Sequence, residues 1–304
     1  MKKYIPTLVL VLVFVVGLGY AYSQNLFGEE EEPAAAQLTD IDTSKIAGIR
    51  VANGDLTYQL VKAGEDWTFT EPQNYPVNPY SVESWLDTLT SAQQGDVVEE
   101  SPEDVSRYGI DAAKKGITLT KENGEVVTIG IGDALPTGSA QYARIDGGAV
   151  IGVDSNTVSS LLPSITTLVN TTPFNWDDAD LKELTYERGS SNWTLKNSSS
   201  DASSSGWTLD GKAIEDAEAT TVSGSLKYIA SDRLPVKADT LDSADKDFTL
   251  KLVRTENGAE KTQIYTGKKD PDVDTLVWVI PPDSQWAYAV KPDELKAAET
   301  PLKQ

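Results

Sequence analysis

The chain has 304 residues, with 26 Lys+Arg against 47 Asp+Glu for a formal net charge of −21, and it contains neither His nor Cys. Without Cys there is no disulfide framework, thiolate nucleophile or Cys-ligated metal, and without His there is no Ser-His-Asp triad, His-ligated metal or histidine switch. The acidic surplus opposes nucleic acid, whose phosphates are bound by Lys and Arg displacing counterions.

The N-terminus reads Met1-Lys2-Lys3 and then runs uncharged and apolar from Ile5 to Tyr22. About 18 residues make ~27 Å of helix, enough to cross a bilayer core. The run has no polar face, exceeds the usual signal-peptide core, and ends in Tyr20 and Tyr22, which suit an interface. The expectation is a signal anchor over residues 1–26, with cleavage near Ala21-Tyr22-Ser23 as the alternative. Lysines before the run and Glu29 to Glu32 after it predict a single-pass protein of the cell membrane with its C-terminal bulk outside the cytoplasm. Residues 27–39 hold the four glutamates and Pro33, and read as an acidic linker.

From Asp40 onward, strand signals come in one order and then come again. Ile49-x-Val51, Tyr58-x-Leu60 and Trp67-x-Phe69 alternate apolar with polar, with turn signals at Asn53-Gly54 and Gly64. Leu184-x-Tyr186, Trp193-x-Leu195 and Trp207-x-Leu209 repeat them, the last hairpin lengthened by a Ser-rich run, Asn197 to Gly206, that reads as flexible. A helix follows each meander, with Val82, Leu86 and Leu89 on one face and Val222, Leu226 and Ile229 on the other; Asn78 or Ser81 is the candidate cap of the first. Val97-Val98 is matched by Leu234-Pro235-Val236. Ile117-x-Leu119, the turn Asn123-Gly124 and the return to Gly132 are matched by Phe248-x-Leu250, Asn257-Gly258 and Gly267. Two strands and a short helix close each half. The prediction is an α+β fold of two tandem copies, residues 40–165 and 166–304, each a mostly antiparallel sheet with helices on one face.

Tyr75-Pro76-Val77-Asn78 leads into the first helix. Asp104-Val105-Ser106-Arg107-Tyr108-Gly109-Ile110 precedes a strand, and Ile129-Gly130-x-Gly132 and Tyr142-Ala143-Arg144 follow. In these segments the chain resembles the bacterial domain of unknown function 4340 family, from about Thr43 to Leu162; the second half keeps the order but has Thr240-Leu241-Asp242 in place of the Tyr-Gly step. The resemblance implies an exported, membrane-anchored protein, and some members look associated with ABC-type transport components of the gliding-motility kind. It brings no catalytic residue, ligand or cofactor.

Among chemical motifs, Asp270-Pro271-Asp272-Val273-Asp274 alternates oxygen ligands, but Thr275 and Pro281 stand where a calcium loop needs Gly and Glu, so a solvated turn is expected. Gly130-Ile131-Gly132-Asp133 lacks the third Gly and the helix of a phosphate loop, and is expected to be a tight turn at a strand end. The clusters Asp177, Asp178, Asp180 and Glu99, Glu100, Glu103, Asp104 follow from composition, and Ser243 with Lys246 lacks the other motifs of a Ser-Lys enzyme. Of the seven Trp, Trp67, Trp193 and Trp207 share parity with apolar strand neighbours and belong to the core, Trp85 lies half exposed beside its helix stripe, and Trp176, Trp278 and Trp286 stay open. No catalytic, cofactor or metal site is assigned, and no cofactor is expected. The function expected is a non-enzymatic extracytoplasmic module that binds an envelope protein, ABC-transport components being the kind the resemblance suggests. A glycan- or small-ligand-binding pair is the alternative, and a carboxylate hydrolase a weaker third.

Overall fold

The computed structural model describes residues 36–198 and 206–302, together with Phe14, Val15, Gly17 and Tyr20, which are helical. Most of the expected anchor, residues 27–35 of the linker, and residues 199–205 of the Ser-rich run lie outside the described residues. Among the described residues, no helix is long and apolar enough to cross a membrane.

Alternation makes the first meander: β1 (Ile46–Asn53), β2 (Leu56–Ala63) and β3 (Asp66–Glu71) pair antiparallel, and Ile49, Val51, Tyr58, Leu60, Trp67 and Phe69 are buried together. Helix α1 (Pro79–Ser91) covers that face. Asn78 is its cap, its Oδ1 accepting from the Ser81 amide at 3.3 Å, and Pro79 starts the first turn, where a missing N–H costs nothing. Trp85 joins Val82, Leu86 and Leu89 in the core instead of lying half exposed: it is 4% exposed, and its indole N–H donates to the Leu161 carbonyl at 3.2 Å. The carbonyl at a helix end satisfies the one polar atom of the ring, so the stripe widens by a position.

The first half continues through β4 (Val97–Glu99), β5 (Lys115–Lys121), β6 (Val126–Ala134), β7 (Ala140–Ile145), β8 (Val150–Asp154) and helices α2 (Ser155–Leu161) and α3 (Ile165–Leu168). Its eight strands run in the order β3-β2-β1-β5-β6-β7-β8-β4. The second half has β9 (Leu181–Arg188), β10 (Ser191–Asn197), β11 (Trp207–Leu209), β12 (Lys212–Ala213), α4 (Asp216–Lys227), β13 (Val236–Lys237), β14 (Lys246–Glu256), β15 (Ala259–Lys269), β16 (Val277–Ile280), β17 (Trp286–Val290) and α5 (Pro292–Glu299). Its nine strands run β12-β11-β10-β9-β14-β15-β16-β17-β13, the same order with β12 added at one edge. Every pairing is antiparallel, so the molecule is α+β and mostly sheet.

Register corrects one sequence match. Val51 faces Ile117, and Tyr186 faces Leu250. Since Val51 pairs with Tyr58 as Tyr186 pairs with Trp193, Leu250 takes the place of Ile117, and Phe248 lies one inward position earlier, facing Gly267. A period-two pattern cannot report a slip of two, because every side chain keeps its face. Equivalent strand positions also do equivalent work. Tyr58 Oη donates to the Pro163 carbonyl at 2.9 Å and Trp193 Nε1 to the Ala298 carbonyl at 2.7 Å, each tying its strand to the end of its own half.

Ile165, Leu168 and Val169 belong to the first core and Phe174 and Trp176 to the second, so the first unit runs a few residues beyond 165. The join is threaded between the halves: Asn78 N donates to Leu168 O, Asn170 N to Pro76 O and Ser231 N to Thr171 O. Trp286 and Tyr288, on a strand of the second sheet, are buried in the first core. Trp286 meets the Tyr75 ring at 5.2 Å, and Lys237 Nζ sits 3.9 Å over the same indole. Burial pushes the Tyr288 hydroxyl up to about 12. At the N-terminal side Leu38 and Thr39, read as linker, are buried, and Leu38 N donates to the Ala92 carbonyl. Leu38 packs in the first core.

Candidate functional site

The signature segments meet on the outer face of the first sheet, opposite the helices. After β4 the chain makes a one-turn 3-10 helix, Ser106–Tyr108, and crosses β5, β6 and β7. Asp104 starts the turn, its carboxylate accepting from the Ser106 amide and hydroxyl at 2.8 Å each. Gly109 ends it at φ 67°, a left-handed conformation that a side chain would strain.

The crossing lies so close that the sheet beneath must be glycine. A Cβ on Gly132 would overlap the Tyr108 carbonyl, and one on Gly130 would lie 2.9 Å from Ile110 Cγ2. Gly130 to Asp133 is therefore strand, inside β6, and not the turn expected from sequence. Two glycines in four residues suggest a loop unless another segment is known to press on them. The Tyr108 ring meets that of Tyr142 of β7 at 4.8 Å, inclined by 55°. Glu99 of β4 is paired with the Arg107 guanidinium and accepts from Tyr108 Oη at 2.7 Å. Those two donors hold Glu99 below the usual carboxylate range, and the Glu99 bond raises Tyr108.

Beside this crossing is an open groove of about 640 Å³ whose lining includes Ser106, Asp111, Lys114, Thr128, Arg144 and Asp146. Arg144 is preset by the β7–β8 turn: Nε donates to Gly148 O at 2.9 Å and Nη2 to Gly147 O at 2.5 Å. Asp146 accepts from the Thr128 amide at 2.7 Å. Lys114 lies 3.6 Å from Asp111, whereas Arg144 forms no ion pair among the described residues. The groove thus presents a fixed, positively charged fork to the solvent in a strongly acidic chain, suited to carbonyl or carboxylate groups.

Other sequence candidates are occupied by structural roles. Asp270 Oδ1 accepts from the amides of Asp272 and Val273 at 2.8 Å, and Oδ2 from Trp278 Nε1 at 2.7 Å. Burial pushes this carboxyl up, but the three donors outweigh it and it stays below its ordinary 3.8. No group of three or more acidic residues able to hold a metal ion occurs among the described residues. Asp178 is bound by Lys227 at 3.0 Å and by Trp176 Nε1 at 3.2 Å, and Asp177 accepts from the Ala179 amide. Ser243 and Lys246 line different hollows of the second half. In those hollows Arg188 is held by Asp247 at 2.7 Å and Glu299 at 2.6 Å, which anchors α5 to the sheet. Six of the seven Trp are buried, and Trp207 packs against the second core. Sequence reasoning found the signature but missed the groove: Lys114 comes from the turn before β5, Thr128 from β6 and Arg144 from β7, and only the pairing of β5, β6 and β7 brings them together.

No curated protein and no solved structure matches the chain. A family model does match, over residues 67–243, beginning at Trp67 of β3 and running past Leu162 through the join into the second half. That span takes in the Tyr108-Gly109-Ile110 crossing, both glycines beneath it and Arg144, and it covers more than half of the 304 residues; the chain belongs to the family described as domain of unknown function, DUF4340.

Proposed function

We propose that this protein is a non-enzymatic, membrane-tethered module of the cell envelope, two copies of one α+β unit, that holds a protein partner against the outer face of its first sheet. The observation that carries the reading is the convergence of the signature segments on one open groove with a preset guanidinium, Arg144. Preorganised polar donors on a rigid sheet lower the ordering cost of binding a partner chain. The absence of His and Cys from the sequence and the apolar run at Ile5 to Tyr22 support the non-enzymatic and tethered parts. ABC-transport components remain the kind of partner the family resemblance suggests. For the glycan-binding alternative the rings open to stacking are Tyr80 and Tyr228, each 80% exposed, since six of the seven Trp are buried.

Because the chain has no Cys, single Cys substitutions give clean reporters. Glu83→Cys, on the exposed side of α1 and away from the groove, should react in intact cells with a membrane-impermeant maleimide, and a failure to react until the cells are opened would refute export. A photo-crosslinking residue at Lys114 or Asp111 should capture a discrete membrane protein, while one at Glu83, on the exposed side of α1, should not. Equal capture from all three positions, or none from any, would remove the binding reading.

A further inference from the structure

Arg144 uses only one edge of its planar guanidinium to hold its own turn. Nε donates to Gly148 O and Nη2 to Gly147 O, and these two donors lie side by side on that edge. The adjoining edge, Nη1 with the second N–H of Nη2, carries two more parallel donors, the pattern that a carboxylate accepts with both oxygens. Among the described residues, nothing accepts from that edge. The turn that orients the group is itself fixed: Asp146, at φ 47°, donates its amide to Thr128 O at 3.0 Å and accepts from the Thr128 amide at 2.7 Å. A lysine here would supply the charge without the paired donors.

Charge around this fork selects the occupant. Asp111, on the crossing segment, and Asp146, on the turn, are exposed and line the same groove as Arg144. Lys114, 3.6 Å from Asp111, offsets part of that charge. A run of acids such as the chain's own Glu29 to Glu32 would satisfy the guanidinium with one carboxylate and set the others against the two aspartates. One carboxylate with a basic residue on either side matches all three charges. The groove, about 640 Å³, has the size of pockets that take drug-sized groups, which leaves room for the flanking residues. We propose that Arg144 takes a single Asp or Glu side chain of a partner protein, in a segment with Lys or Arg on both sides of it, as a two-pronged ion pair. This rests on the protein-binding reading above and names the chemistry that the groove recognises.

The full-length protein in detergent, titrated with the peptide Lys-Thr-Glu-Thr-Lys and followed by NMR at the Arg144 Nε–H and the Gly147 and Gly148 amides, tests this. Those signals should move with the peptide. The same peptide with Gln for Glu, a peptide of four Glu, and the variant Arg144→Lys should each lower affinity by about tenfold or more. Asp111→Asn, which keeps the fork, should weaken the Lys-flanked peptide by a few-fold. If Arg144→Lys fails to fold, the Glu and Gln peptides on the wild type and Asp111→Asn carry the comparison. Unmoved signals in the wild type, equal affinity for the Glu and Gln peptides, a tighter four-Glu peptide, or undiminished binding by Arg144→Lys would overturn the proposal. So would an Arg144 signal that moves, with no peptide present, when Glu29 to Glu32 are all replaced by Gln, which would give the fork to the chain's own linker. In membranes, capture from a photo-crosslinking residue at Lys114 that survives Arg144→Lys would refute the carboxylate contact and leave the binding reading standing, whereas no capture from the wild type would remove both.

Discussion

The outer faces of the two sheets solve one problem in opposite ways. In each half, the segment between the edge strand and the next long strand must cross the sheet. In the first it does so as backbone, the Tyr108 carbonyl pressed onto Gly132 and Ile110 onto Gly130. In the second it does so through a side chain: Leu241, from the 3-10 segment Ala238–Leu241, packs with Leu276, Trp278, Ala287 and Ala289 in a small core of its own. The first solution leaves an open groove of about 640 Å³ beside a crossing made by backbone; the second sets an apolar cluster under its crossing and leaves a hollow of about 660 Å³ whose lining includes Asp239, Asp242, Thr266 and Lys268, so one strand order carries two differently built outer faces.

The largest expected effect concerns the separateness of the halves. Trp286→Ala should cost about 3–5 kcal/mol, as deletion of a buried Trp does. Hydrogen exchange should then show protection lost in β1–β3 as well as in β17, because the indole lies in the first core. Loss confined to the second half would show that the halves are energetically independent. Next, Leu241→Ala should cost about 2–3 kcal/mol and leave the groove unchanged. Gly132→Ala should cost about 1–3 kcal/mol through overpacking, and should lift the 105–114 segment, raising its exchange rates while the second half stays as it was. If both substitutions act alike on the groove, the contrast between the faces fails.

The smallest effects are acidic. Asp270 and Glu99 both have folded-state pKa values below their ordinary 3.8 and 4.5. Their contribution is therefore fully present above those ordinary values and is lost as the pH falls through the folded ones. Between pH 5 and pH 2, the Trp278 indole resonance should move as Asp270 gains its proton, and the 105–114 amides should exchange faster as Glu99 releases Arg107. An unmoved Trp278 signal would show that the 2.7 Å bond contributes nothing in solution.

Much of the fold was legible because it rests on period two. Trp67 and Phe69, or Trp193 and Leu195, announce a strand and its inward face without any partner. Register was not legible, since a slip of two preserves every face, and Phe248 was placed on the wrong rung for that reason. The extra strand β12 was missed because Asp210 and Gly211, both at positive φ, make a hairpin from only two further residues, Lys212 and Ala213. The site was half legible: the signature segments stood out, but the reason for Gly130 and Gly132 is a segment about twenty residues away pressing down on them.

The placement of Trp286 and Tyr288 also bears on how the chain is made. Synthesis proceeds from the N-terminus, and the first core's last local contributors, near Leu168, emerge long before β17. At ~5–20 residues per second, the first half waits several seconds or more with the surface meant for those two rings uncovered. Biogenesis therefore passes through a stage in which a nearly finished sheet carries an apolar opening that only the last tenth of the polypeptide closes, which makes a late truncation more harmful to the early half than its position suggests.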